Sequence, residues 1–336
     1  MERTSRLKPL SYVLRISLLF IVVIVAAIIG LITGSVSISL KEFFNAFFSP
    51  GSNSTISQII FDIRLPRVLY AIAVGGGLSV AGAVFQAMLM NPLAEPYILG
   101  ISSGGTFGAV LSFILGISFL GTQLFAFAGS ICVMLIVFFL SRRFGELEPN
   151  VLLLSGVMVG AFFSAAILLM MSLLNDSLRA AVFWLIGNLS LAEKGNVWTV
   201  LIITVTVSVI LILLSNKFNL LSMGSDYAKQ LGLKANQLKA VTYILSSVMI
   251  GTLVSVSGII GFVGLLVPHV CRMIFGVDNR IVFPTSFIFG AAYLTLADTI
   301  ARTLISPAEL PVGAITAIIG APIFILLLRK RFKLFL

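Results

Sequence analysis

The sequence predicts an all-α, polytopic membrane bundle of about ten spanning helices, and three observations point there. Hydrophobic residues make up 59% of the chain and charged residues only 10%, with a mean hydropathy of +1.14. No water-soluble interior is large enough to hide that much apolar surface, so the solvent for most of it is a bilayer. The apolar residues also fall into long runs parted by short polar links. A spanning helix needs roughly 20 residues to cross about 30 Å of hydrocarbon, so ten spans use most of the 336 residues and leave no room for a separate soluble domain. Finally, runs such as 16–32 and 197–214 lack the strict alternation of a membrane barrel strand. Residues 1–336 therefore read as a single transmembrane domain.

The first run, 12–34, follows Arg3, Arg6, Lys8 and Arg15, a basic start like that of a signal peptide. It continues to about Ile32, beyond the 7–15 residues of a signal-peptide core, so a retained first span is expected. Further spans are expected at 67–90, 97–117, 120–140, 151–174 and 197–215. The stretch 241–271 is apolar throughout and would be about 46 Å long as one helix, too long for the bilayer. It is read as two short spans, 240–258 and 259–274, before the last two at 283–304 and 311–328.

Charge supports that split. With the N-terminus inside, the cytoplasmic links hold Arg142, Arg143, Lys217, Lys229, Lys234, Lys239, Arg272, Arg280 and the basic tail Arg329, Lys330, Arg331 and Lys333. Lys41, Arg64, Arg67, Arg179, Lys194 and Arg302 then lie outside. Without the split, Arg272, Arg280 and the tail would be exported, against the positive-inside bias. Both termini are expected in the cytoplasm. The net charge of +10 is explained by this bias and gives no reason to invoke nucleic acid.

Short, Gly/Pro-interrupted segments stand in two corresponding places: Gly75-Gly76-Gly77 through Asn91-Pro92 and Pro96 to Gly104-Gly105, and Gly258, Gly261 and Gly264 through Pro268. One starts outside and the other inside, which suggests an inverted repeat. Paired broken helices point to a transport pathway. Close helix packing through small residues, as in Gly75/Ser79/Ala83 and Gly251/Ser255, is the competing explanation. In the link NPLAEP (91–96) the two prolines break the helix, and Glu95 is read as a cap or structural hydrogen-bonding group. His269, Cys132 and Cys271 are read as structural, and no zinc site is expected from one histidine and two separated cysteines. Trp184 and Trp198 are read as interfacial anchors.

Six ordered strings then stand out: RLPR (64–67), GGGLSVAGAVFQAMLMNPLAEPYILGISSGG (75–105), DYAKQLGL (226–233), GFVGLLVPHVCRM (261–273), LADTIAR (296–302) and ELPVGAITAIIGAPIFILLLRK (309–330). Together they resemble the iron-siderophore, haem and vitamin B12 importer permeases, the transmembrane subunits of type II ABC importers, over nearly the whole chain. The resemblance implies a dimer of ten-helix subunits, identical or related, in the cytoplasmic membrane. It also implies two cytoplasmic ATPases and an extracytoplasmic binding protein that delivers the chelate.

It further implies roles for particular residues. Arg64, Arg67 and Arg302 would dock the binding protein, a role suited to fork-shaped permanent cations facing carboxylates. Internal pairing is the alternative, with Asp62 near Arg64 and Asp298 one turn from Arg302. In the link 216–239, Ser225, Asp226, Ala228, Gln230, Leu231 and Gly232 would form the coupling helix that receives the ATPase stroke, with Ser225 as N-cap and Gly232 as stop. A helix resting on anionic headgroups is the alternative there. Gln86, Asn91, Pro92, Ser155, Met158, Val159 and Ser164 are expected along the pathway or its gate. The chain has no GxxxxGK[ST] phosphate loop, so ATP and Mg are expected on the partner ATPase and no cofactor on this chain. An ion-coupled carrier would need ionisable groups within the membrane, and an intramembrane enzyme a convergent catalytic pair. For the first the sequence offers at most Glu95, Asp298 and Arg302 near span ends, so an ion-coupled carrier stays as the alternative; for the second it offers nothing, and no catalytic residue is assigned.

Overall fold

The computed structural model of the protein describes residues 9–48, 55–143, 146–174, 178–190, 194–306 and 308–332. Arg3, Arg6, Lys8 and Lys333, which weigh in the orientation argument, lie outside these.

The architecture is helical, and the ten expected spans are all present as apolar helices. α1 (Pro9–Ile32) leads through α2 (Leu40–Phe48) and α3 (Thr55–Gln58) into α4 (Leu65–Met88). α2 starts with a reciprocal cap: the Ser39 N–H donates to Glu42 Oε2 at 2.8 Å and the Glu42 N–H to Ser39 Oγ at 3.3 Å. α3 and α4 join through a π-helical turn at 59–64, so one continuous helix runs from Thr55 to Met88. Pro66 supplies no N–H to that helix, and the wider turn lies just before it. α5 (Ile101–Ile114) and α6 (Phe119–Leu140) form a close pair. A two-stranded ribbon, β1 (Arg142–Arg143) against β2 (Glu146–Leu147), leads into α7 (Pro149–Met171). The short α8 (Leu178–Ile186) follows, outside any expected span.

α9 (Val197–Leu213) bends by 48° into α10 (Ser215–Leu221), and the short α11 (Ser225–Gln230) precedes α12 (Ala235–Ser257). The chain breaks at 258–262 and resumes as α13 (Val263–Phe275), so the stretch is two helices, as its length predicted. α14 (Asn279–Thr303) and α15 (Val312–Phe332) complete the bundle.

α4 is the centre of the bundle, with α14, α13, α9 and α12 packed around it. Its glycines correct one expectation. Gly75, Gly76 and Gly77 interrupt nothing, because α4 runs unbroken through them. They are contact points: a Cβ on Gly75 would lie 2.2 Å from the Gly290 carbonyl oxygen, and one on Gly82 would lie 1.8 Å from that of Gly264. Backbones approach there as only glycine permits. The breaks in this half come later, at 89–95 and at the 3₁₀ turn Pro96–Leu99. α7 is the opposite case, being the least covered of the long apolar helices.

Candidate functional site

The residues expected to dock a partner and to couple lie at two opposite ends of the bundle. α14 measures about 37 Å from Asn279 to Thr303. At its start, Asn219 of α10 donates to Asp278 at 2.7 Å, which places α10 and the adjoining α11 at that end. At its finish lies Arg302, beside the last turn of α1.

The arginine end is a buried ion cluster. The last carbonyls of α1 have no partner within their own helix, and arginines supply one. Arg64 donates to Leu31 O at 2.8 Å, to Ile32 O at 2.7 Å and to Val36 O. Arg302 donates to Gly30 O at 2.9 Å. A Cβ on Gly34 would lie 2.7 Å from the Arg64 guanidinium, so glycine leaves room for it. Arg67 grips Asp298 through Nε (3.0 and 3.1 Å) and Nη2 (3.0 Å) and donates through Nη1 to Glu309 at 2.8 Å. Arg302 Nε lies 3.3 Å from the same Asp298 carboxylate. Arg64, Arg67 and Arg302 are 4%, 6% and 5% exposed. As free groups presented to a docking partner they are not seen; the internal-pairing alternative describes them here. For Arg64 the partners are carbonyls, while Asp62 pairs with Lys194 instead. The physical reason is that a guanidinium withdrawn from water needs acceptors and counter-charge, and the end of α1 and Asp298 lie within reach.

At the other end, α11 is held on a rigid seat. Its C-terminus is a full Schellman motif: Gly232, at φ +82°, donates to Lys229 O at 2.9 Å and Leu233 to Ala228 O at 3.0 Å. At its start the N-cap is Gly224 rather than Ser225, whose hydroxyl instead accepts from Lys239 at 3.1 Å. Ala228 is fully buried and anchors the helix. Lys229 reaches Glu146 on β2 at 2.9 Å, and that bond holds its ammonium above the usual lysine range. Asp226, Gln230, Leu231 and Gly232 are exposed. Tyr227 and Leu231, four residues apart at the exposed side of α11 and its C-cap, form an apolar pair, and the exposed Met223 lies just before the helix. The sequence reading assigned no role to Tyr227, although its four-residue spacing from Leu231 was available as a signal.

The expected pathway residues do not converge. Gln86 is buried, donates to Ala94 O and Leu265 O at 3.3 Å each, and accepts from Arg272; it belongs to a structural cluster where α4 meets α13. Asn91 closes a local turn by accepting from the Leu93 N–H at 2.9 Å, with Pro92 exposed beside it. Ser155, Met158, Val159 and Ser164 lie on the sparsely covered α7, Met158 and Ser164 exposed and the other two half-buried. The two breaks touch each other. Glu95 accepts from the Phe262 N–H at 2.8 Å and Tyr97 from the Ile260 N–H at 3.1 Å. Glu95 thus caps α13, whose first turn follows Phe262 at the unusual φ of +68°. His269 is buried with its ring edge-on to Phe324, and Cys271 is buried, as structural residues would be. Trp198 is exposed, as an anchor requires, but Trp184 is buried beside Phe113 and is not one.

Comparisons with known proteins agree with this arrangement. The FecCD transport family matches residues 21–330. The ABC transporter permease protein YvrB of Bacillus subtilis is 38% identical, the match covering 92% of this chain and 91% of YvrB. The hemin transport system permease protein HmuU of Yersinia pestis is 36% identical over 95% of this chain and 96% of its own. A solved chain described as an inward-facing conformation of a metal-chelate type ABC transporter superposes with a TM-score of 0.84 at 33% identity, covering 95% of this chain and 99% of that one. A central α4, two latched helix breaks and a seated α11 thus belong to a membrane-embedded, non-catalytic permease of the ABC importers, and the chain is a member of the FecCD transport family.

Proposed function

We propose that this permease carries an iron-siderophore or a related metal chelate across the cytoplasmic membrane. In this reading an extracytoplasmic binding protein delivers the chelate to the arginine end, and two cytoplasmic ATPases act on the α11 end. A second permease subunit, identical or related, covers the exposed side of α7, so that Ser155, Met158, Val159 and Ser164 border the passage between the two. Both termini then lie in the cytoplasm.

The observation that carries the proposal is the seating of α11 at the end opposite the arginine cluster. Tyr227 and Leu231 offer an exposed apolar face, as an amphipathic helix does to a partner. Ala228, Lys229 and the Gly232 stop tie that helix to α12 and β2, so a push on it reaches the bundle. At the other end the arginines fix the rim on which a binding protein would rest, with Glu309 still 37% exposed above them. The metal-chelate class follows from the similarity to a metal-chelate type transporter and to a hemin permease.

The test is reconstitution of the chain in vesicles with the ATPase and binding protein encoded beside it. Uptake of a ferric hydroxamate should need all three and ATP, and Leu231→Asp should abolish association with the ATPase while leaving the thermal unfolding of the chain unchanged. Uptake by the lone chain under a proton gradient, without ATP, would overturn the proposal.

A further inference from the structure

A groove of about 360 Å³ lies between the α9–α10 elbow and the first turns of α12, lined by Leu214, Lys217, Leu233, Lys234, Leu238 and Val241 among others. Its two sides differ in character. Lys217 and Lys234 stand at the polar mouth, both exposed, and among the described residues neither makes a salt bridge, in contrast to Lys229 nearby. The N-cap residue of α12, Lys234, makes no side-chain cap hydrogen bond, and the positive end of that helix lies beside it. The inner side is apolar and continues into Leu213 and Val241, 77% and 42% exposed, on the surfaces of two spanning helices. The 48° elbow lies at Leu214, where the apolar α9 gives way to the Ser215-Asn216-Lys217 start of α10.

We propose that this groove binds an anionic phospholipid, with the headgroup phosphate between Lys217 and Lys234 and an acyl chain along Leu214 and Val241. Two compact ammonium groups suit a phosphodiester, which needs charge rather than a planar fork. Continuity from lysines to lipid-facing apolar surface selects a lipid over a soluble anion, which would gain nothing from the apolar half. Gly232 and Leu233 form part of the wall and also close the Schellman motif of α11. An occupied groove therefore braces the seat of that helix. The inference requires only the membrane setting and is independent of which chelate is carried.

Native mass spectrometry of the full chain, purified in detergent and titrated with dioleoyl-phosphatidylglycerol or dioleoyl-phosphatidylcholine, tests it. The first phosphatidylglycerol should bind on the order of tenfold or more tighter than phosphatidylcholine. Lys217→Gln/Lys234→Gln should weaken it on the order of 30-fold, each single variant taking several-fold of that. Lys41→Gln, at the opposite end, should leave it unchanged, and millimolar inorganic phosphate should not displace it. Equal affinity of the wild type for the two lipids overturns the proposal, even if the double variant fails to fold. So does unchanged affinity in the double variant, including the case in which that variant loses only its ATPase, and so does displacement by phosphate, which would mark a free-anion site.

Discussion

Asp298 carries the counter-charge for two buried arginines, and its removal has a calculable effect. It is 1% exposed, receives three contacts from Arg67 at 3.0–3.1 Å and lies 3.3 Å from Arg302. Asp298→Asn keeps the shape and deletes the charge. Arg67 would retain only Glu309 as counter-charge, and Arg302 only the neutral Gly30 carbonyl and Thr299 hydroxyl besides the amide. Breaking a buried pair from one side costs about 3–5 kcal/mol, because the uncompensated charge stays buried. At about 2–4 °C per kcal/mol, Tm should fall by roughly 6–20 °C. Glu309→Gln deletes a contact of similar length, 2.8 Å, but at a side chain 37% exposed. An exposed partner contributes at most about 1 kcal/mol, so that variant should lose no more than about 4 °C. Thermal unfolding of the purified chain in detergent, followed by tryptophan fluorescence, reads both. The reasoning fails if Asp298→Asn stays within about 2 °C of wild type, or if Glu309→Gln matches it. An apolar replacement of the trio, Arg67→Met, Asp298→Leu and Arg302→Met together, should recover most of the loss, since the one charge that loses its partner, Glu309, is 37% exposed and can be solvated.

Further outcomes follow from the same geometry. Gly82→Ala places a Cβ 1.8 Å from the Gly264 carbonyl oxygen and should abolish folded protein on size-exclusion chromatography, whereas Gly195→Ala, with nothing within 4 Å, should be neutral. Glu95→Ala removes the acceptor for the Phe262 N–H and should destabilise by about 1–2 kcal/mol, while Glu95→Gln, which keeps an oxygen in place, should lose a small part of that in thermal unfolding. The hydrogen bond from Arg280, joined by one from Asn219, holds the Asp278 carboxyl below the usual carboxylate range. Its stabilisation is complete above the unfolded value near 3.9 and is lost as pH falls through the lower folded value. Tm of the wild type should therefore drop more than that of Asp278→Asn between pH 5 and pH 3.

The spans were legible because length and charge constrain them independently. The stretch 241–271 cannot cross the bilayer as one helix, and only a split retains Arg272 and Arg280 on the basic side; the chain does break at 258–262. The triple glycine at 75–77 was not legible, since the same residue serves a break or a close approach, and the choice depends on Gly290, more than 200 residues away. The arginines were legible as exceptions to the charge bias, but not as buried groups. Their burial depends on where α1 happens to end, with Leu31 and Ile32 presenting unpartnered carbonyls to Arg64. In α11 the Gly232 stop was readable locally, whereas the seat formed by Glu146, Lys239 and the buried Ala228 was not.

Amino-acid order alone determined that this chain is a membrane-embedded helical bundle and where most of its apolar helices lie, because hydrophobic length, charge and turn chemistry act over a few residues. Tertiary structure decided which polar groups meet. Asp298 finds Arg67 across 231 positions, and Glu95 finds the Phe262 amide across 167. Such pairings are set by how ridges of side chains interlock around α4, and no local pattern encodes what will stand opposite.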